Sequence, residues 1–186
     1  MKKIAVFIGL SFINWTSAQL TDIKYIPSIS TDTINTQARL YTSLLSKNKF
    51  NPMVFEQGIK VGERRQEVKL RDKDIFYIEF TDKNGDKRVF KQIPELNLGG
   101  KLLEVMAVGK ISWYRNYFSY KADAWDQNYA YDDYFVKGNE IVKVPVKGKY
   151  KKKLKNLLAE KPELAREVNR MITDLDIKEI IEKYNN

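Results

Sequence analysis

The spacing of apolar and polar residues divides the chain into three stretches. The first is an apolar run from Ile4 to Trp15, broken only by Gly9, Ser11 and Asn14, with Lys2 and Lys3 before it and the small residues Thr16, Ser17 and Ala18 after it. The second, from Thr33 to Val144, alternates with the two-residue period of strands, and the third, from Lys149 onward, repeats every three to four residues as helices do.

Within the alternating stretch, Thr33 to Tyr41 sets Ile34, Thr36, Ala38 and Leu40 on one side and Asn35, Gln37, Arg39 and Tyr41 on the other, which predicts a strand. A helix over 33–46 competes, since Leu40, Leu44 and Leu45 also fit a helical face, but the β-branched residues at the start favour the strand. Pro52 to Glu56 and Gln66 to Leu70 read as further short strands. Three hairpins follow. Ile75 to Thr81 and Lys87 to Ile93 flank Asp82-Lys83-Asn84-Gly85-Asp86, where Asn84 and Gly85 tolerate the positive φ of a tight turn. These residues do not spell a calcium loop, because glycine falls fourth where an EF-hand has it sixth and no distal glutamate completes the cage. Leu102 to Val108 turns at Gly109-Lys110 and returns through Ile111 to Phe118, and Tyr134 to Val136 pairs with Ile141 to Val144 across 137–140. The prediction is an antiparallel meander, with a roll or an open barrel as the curled forms it allows.

The helical stretch places Tyr150, Leu154, Leu157 and Leu158 on one face. Lys161 and Pro162 start a second helix that aligns Leu164, Val168, Met171 and Ile172. Asp174 reads as the cap of a third, in which Ile177, Ile180, Ile181 and Tyr184 repeat the pattern. The expected fold is therefore α+β: a β-rich body over 19–146, then two to three short amphipathic helices over 147–186.

Against this pattern the first stretch has the layout of a secretory signal peptide: a basic head, an apolar run too short to cross a bilayer, and small residues at the cleavage point. Cleavage after Ala18 would leave 168 residues, one domain's worth, destined for the periplasm or the exterior. The formal charge of +9 then falls to +7, because the leader carries Lys2 and Lys3 and no acid. That balance favours anionic neighbours and serves solubility equally well. The chain has no cysteine, so no disulfide and no acylated lipoprotein cysteine is expected. It has no histidine either, which removes Ser-His-Asp and Cys-His catalysis and zinc sites built on His or Cys. No cofactor is expected, and any catalysis would rest on carboxylates, Lys, Tyr, Ser or Arg.

The densest candidate chemistry lies between Trp113 and Phe135, where ten of 23 residues are aromatic. Tyr117, Tyr120, Trp125, Tyr129, Tyr131 and Tyr134 stand among Asp126, Asp132 and other polar residues, and rings beside carboxylates suit a glycan or peptide surface. The competing interpretation is structural, with alternate rings such as Trp113 and Tyr117 packing into a core. A glycan hydrolase would draw on Asp126, Asp132, Asp133 and Glu104 as its acid and base. Lys147, Lys149, Lys151, Lys152, Lys153 and Lys155 form a basic run that could meet anionic lipid or polysaccharide, although the apolar stripe of the same helix turns most of them to solvent. Nucleic acid is not an expected partner of an exported chain.

Several strings resemble those of an uncharacterised family of small exported Bacteroidetes proteins. They are Thr31-Asp32-Thr33-Ile34, Leu70 with Asp74-Ile75, Leu102-Leu103-Glu104-Val105, Gly109-Lys110-Ile111-Ser112-Trp113-Tyr114, Lys161-Pro162-Glu163-Leu164 and Ile180-Ile181-Glu182-Lys183-Tyr184-Asn185. The resemblance implies export, an N-terminal β portion and a helical C-terminus, and it brings no activity with it. Thr36 stands where that pattern commonly has glycine, and 122–133 is longer and more aromatic than the pattern. The expectation is a non-catalytic binding or interaction module of the cell envelope, with a carboxylate-dependent glycan hydrolase or an anionic-surface binder as the alternatives.

Overall fold

The computed structural model describes residues 19–40, 50–63, 66–119, 129–145 and 148–186, so the apolar run of 4–15 and Tyr120, Trp125, Asp126 and Lys147 lie outside the described residues. Among the described residues ten strands form one antiparallel sheet: β1 Gln19–Pro27, β2 Ile34–Leu40, β3 Ile59–Val61, β4 Val68–Leu70, β5 Ile75–Thr81, β6 Lys87–Gln92, β7 Leu102–Ala107, β8 Ser112–Ser119, β9 Tyr129–Lys137 and β10 Glu140–Val144. The spatial order is β10-β9-β8-β7-β6-β5-β1-β2-β3-β4. The two edges, β10 and β4, do not pair among the described residues, so the sheet stays open and no barrel closes. Among the described residues four α-helices accompany it: α1 Val54–Gln57, α2 Tyr150–Leu157, α3 Pro162–Glu167 and α4 Asp174–Asn185. None of the described helices is long and apolar enough to cross a membrane.

The meander and the helical end follow the period of the sequence, and the departures have local causes. Pro52 to Glu56 is not a strand: the Asn51 side chain accepts the Met53 amide, and the chain turns into α1 until Gly58, at φ 92°, ends it. Gln66 to Leu70 shrinks to the three-residue edge strand β4, a short edge being one way sheets avoid further pairing. The strand β1, unrecognised by alternation, pairs β2 and β5 along its length. Strand β9 begins at Tyr129, five residues earlier than its apolar pattern suggests, because it carries the acidic pair Asp132 and Asp133 through the sheet. In the helices, Thr173 rather than Asp174 is the cap of α4, its hydroxyl accepting the Asp176 amide while Asp176 accepts the Thr173 amide. Ile172 is 92% exposed and does not join Leu164, Val168 and Met171 in the core, since the helix gives way to extended backbone at Met171.

Residues opposite one another in a sheet share a face. Cross-strand register therefore aligns Phe90, Glu104, Arg115, Asp133 and Val144 in one row over β6 to β10. On this face lie two separate cores. Helices α2, α3 and α4 cover one, burying Leu154, Leu157, Leu158, Ile180 and Ile181 against Trp113 and Phe135. Segment 50–57, with α1, covers the other, setting Phe50 and Phe55 among Phe80, Phe90 and Ile78. The charged middle of the row lies between them. The opposite face carries a smaller cluster of Ile93, Leu103 and Tyr134.

Helix α4 is fixed at both ends. At its C-terminus the Asn185 side chain accepts the Ile111 amide at 2.8 Å and donates to the Ile111 carbonyl at 3.0 Å, clamping the β7–β8 turn. A Cβ at Gly109 would run into that Asn185 side chain, which is why the turn needs glycine there. At its N-terminus Asp174 is held by Arg115 of β8.

Candidate functional site

An arginine on the core-facing side of a strand must find acceptors, because an unpaired buried cation is prohibitively costly. Arg115, only 5% exposed, finds four oxygens. Its Nε and Nη2 donate to Oδ1 and Oδ2 of Asp133 at 2.8 and 3.1 Å, and its Nη1 and Nη2 donate to Oδ2 and Oδ1 of Asp174 at 2.6 and 3.0 Å. Its planar group also lies 3.8 Å over the ring of Tyr131 and 5.3 Å from that of Trp113. These carboxylates hold the guanidinium firmly charged, raising its pKa against the opposing effect of burial. Burial pushes the Asp133 carboxyl up, against the downward pull of Arg115.

The Asp133–Asp174 end of this arrangement opens into a cleft of about 420 Å³ between strands β9 and β10 on one side and Thr173 to Ile177, with α2, on the other. Tyr129, Tyr131 and Tyr150 supply aromatic surface, Met171 and Ile172 an apolar rim, and Asp133, Asp174, Thr173 and Lys151 the polar contacts. Tyr150 is anchored edge-on to Phe135, with ring centroids 5.5 Å apart, and its buried hydroxyl has no hydrogen-bond partner among the described residues. Burial, reinforced by the charge of Asp133, keeps that phenol protonated far above its ordinary range.

Beyond Arg115 the same face carries a second polar group. The Tyr117 hydroxyl donates to Glu104 Oε2 at 2.5 Å, and Arg88 Nη1 donates to Glu104 Oε1 at 2.7 Å while its Nε donates to Asp82 at 3.0 Å. Burial and the Glu104 charge raise the Tyr117 pKa, so it acts here as a fixed donor.

Strand alternation sorts the residues expected from the sequence. Tyr117, Tyr129 and Tyr131 stand together on the helix-covered face: the Tyr117 ring meets Tyr129 at 5.5 Å and Tyr131 at 6.1 Å, both edge-on. Asp132 and Tyr134 point to the other face, where Lys143 pairs with Asp132 at 2.6 Å and lies over the Tyr134 ring at 5.6 Å. Of the carboxylates considered for catalysis, Asp133 reaches the cleft and Glu104 is engaged by Arg88 and Tyr117. Residues 117–119 and 129–134 are strand rather than loop. Among the lysines, Lys149, Lys151 and Lys152 are exposed and Lys153 and Lys155 half-buried; Lys151 borders the cleft and donates to the Asn169 carbonyl at 2.7 Å, and Lys153 donates to the Lys143 carbonyl. Among the described residues no group of three or more His, Cys, Asp or Glu could hold a metal ion.

Arg115, Asp174 and Tyr150 were not expected in a site. The signal for Arg115 is present in the sequence: it shares the parity of Trp113 and Tyr117, and a charge between two inward rings requires partners. Asp174, 59 residues downstream, gives no such signal. No family model, curated protein or solved structure matches the chain.

Proposed function

We propose that this is an exported, non-catalytic binding protein of the cell envelope, and that it holds a glycan in the cleft between β9, β10 and the start of α4. The basic, apolar, small-residue order of 2–18 supports export. The observation that carries the binding reading is the cleft: three tyrosine rings, two carboxylates and a buried hydroxyl unpartnered among the described residues converge on about 420 Å³ bounded by fixed secondary structure. Rings stack on the apolar faces of a sugar, and preset acceptors take its hydroxyls without rearranging.

One observation favours glycan hydrolysis, namely that Asp133 is a carboxyl in a cleft with a raised pKa, beside a second carboxylate. Against it, both oxygens of each carboxylate accept hydrogen bonds from Arg115. A general acid must carry and release a proton, and an arginine bound across both oxygens opposes protonation. Binding is therefore the better reading.

The test is an array of neutral and acidic glycans probed with the purified protein and with Tyr129→Ala and Ile172→Ala, two exposed positions on the cleft wall and rim. Retention on neutral glycans, weakened about tenfold or more in both variants with unchanged circular dichroism, is the expected result; tenfold corresponds to about 1.4 kcal/mol. Absence of retention on any glycan, or steady release of reducing ends, would overturn the proposal.

A further inference from the structure

We infer that the cleft is one end of a longer groove, and that its ligand is a linear, uncharged oligosaccharide spanning two subsites that share Tyr129. This rests on the glycan-binding reading above and adds length and charge to it.

A second depression of about 230 Å³ lies between the two hydrophobic cores, lined by Glu104, Arg88, Tyr117, Asn84 and Phe50, with Tyr129 as a wall of both this depression and the larger cleft. The wall is continuous, since Arg115 stacks on Tyr131, and Tyr131 and Tyr129 both meet Tyr117. Tyr117 in turn donates to Glu104, which Arg88 holds. A line of rings and hydrogen-bonding groups thus crosses the sheet from Asp174 to Arg88.

The charge of the groove selects its occupant. Arg115 is paired with two carboxylates, Asp133 and Asp174, and Arg88 with Glu104 and Asp82, so each group carries one excess negative charge. An anionic ligand would be repelled by that excess and, to reach either arginine, would have to break one of these pairs and leave a carboxylate unmatched in a poorly solvated place, which is costly. A neutral polyhydroxyl chain can bond to the remaining lone pairs and N–H groups and stack on the rings with every pair intact. An extended peptide is disfavoured by position. Peptides gain most on sheets by adding a strand at an edge, whereas this groove crosses a face whose backbone groups are bonded to neighbouring strands. At the β10 edge the Lys143 carbonyl is already taken by Lys153.

Calorimetric titration of the purified protein with N-acetylglucosamine dimer and hexamer tests the inference. Asn84, exposed in the β5–β6 turn, touches only the smaller depression, so Asn84→Ala probes the far subsite without disturbing the core. The expected result is a hexamer bound about tenfold or more tightly than the dimer. Asn84→Ala should weaken the hexamer several-fold and leave the dimer unchanged, while Tyr129→Ala weakens both. Equal affinity for dimer and hexamer with no effect of Asn84→Ala would overturn the two-subsite groove and leave the single-cleft reading intact. Binding of neither would overturn this inference and leave the single-cleft reading to the glycan array, and displacement of the hexamer by an acetylated, amidated peptide of neutral side chains would overturn the glycan chemistry.

Discussion

Arg115 of β8 holds Asp174, 59 residues away at the start of α4, through two hydrogen bonds of 2.6 and 3.0 Å. The pair joins the helical layer to the sheet at the point where the cleft opens, so one guanidinium both fixes a wall of the site and presents two carboxylates to it.

The two pairs of Arg115 are energetically unequal. Asp133 is 1% exposed, while the Asp174 side chain is 47% exposed and remains largely solvated. Arg115→Ala leaves a buried, unmatched carboxylate and should cost about 3–5 kcal/mol, whereas Asp174→Asn should cost about 0.5–1 kcal/mol. Chemical denaturation of both variants checks the ratio; equal small losses would mean that the buried pair is not formed.

A second carboxyl sets a pH dependence unrelated to the site. Burial, with a contribution from nearby Glu56, pushes Asp72 up to about 6 from an ordinary 3.8, and its Oδ1 has no partner among the described residues. Because the folded state binds this proton more tightly than the unfolded chain does, the stabilisation is fully present below about pH 4 and is lost as pH rises through about 6. Asp72→Asn should raise stability by about 1–2 kcal/mol at pH 8, add nothing at pH 4, and flatten the profile between them. Thermal melts across that range would contradict this if wild type and variant stayed parallel.

The sequence made the antiparallel hairpins and the helix faces legible because their cause is local: Asn84-Gly85 turns a strand, and Leu154, Leu157 and Leu158 form a stripe whatever they touch. It concealed what depends on distant register. Tyr117, Tyr129 and Tyr131 could be named from aromatic density, yet Asp132 and Tyr134 could not be told from them until β9 was known to start at Tyr129 and to place alternate residues on opposite faces. Ile172 illustrates the converse, since its spacing suits a helical face but the helical turn ends at Arg170, two residues before it.

Tyr150 separates stability from binding. A buried hydroxyl without a partner costs about 1–3 kcal/mol, and the Tyr150 hydroxyl has none among the described residues, so Tyr150→Phe should raise stability by about 1 kcal/mol while weakening glycan binding several-fold. Melting and titration of the same sample check both. A variant that binds as well as wild type would show that the hydroxyl does not face the ligand.

The most direct measurement is a ¹H–¹⁵N correlation spectrum of the isotope-labelled protein titrated with the N-acetylglucosamine hexamer. The groove predicts shifts concentrated at the amides of Tyr129 to Asp133, Ile172 to Asp174 and Asn84, tracing one line across the sheet face. Shifts confined to the outer side of α2 or to strands β1 and β2, or an unchanged spectrum at saturating sugar, would contradict it.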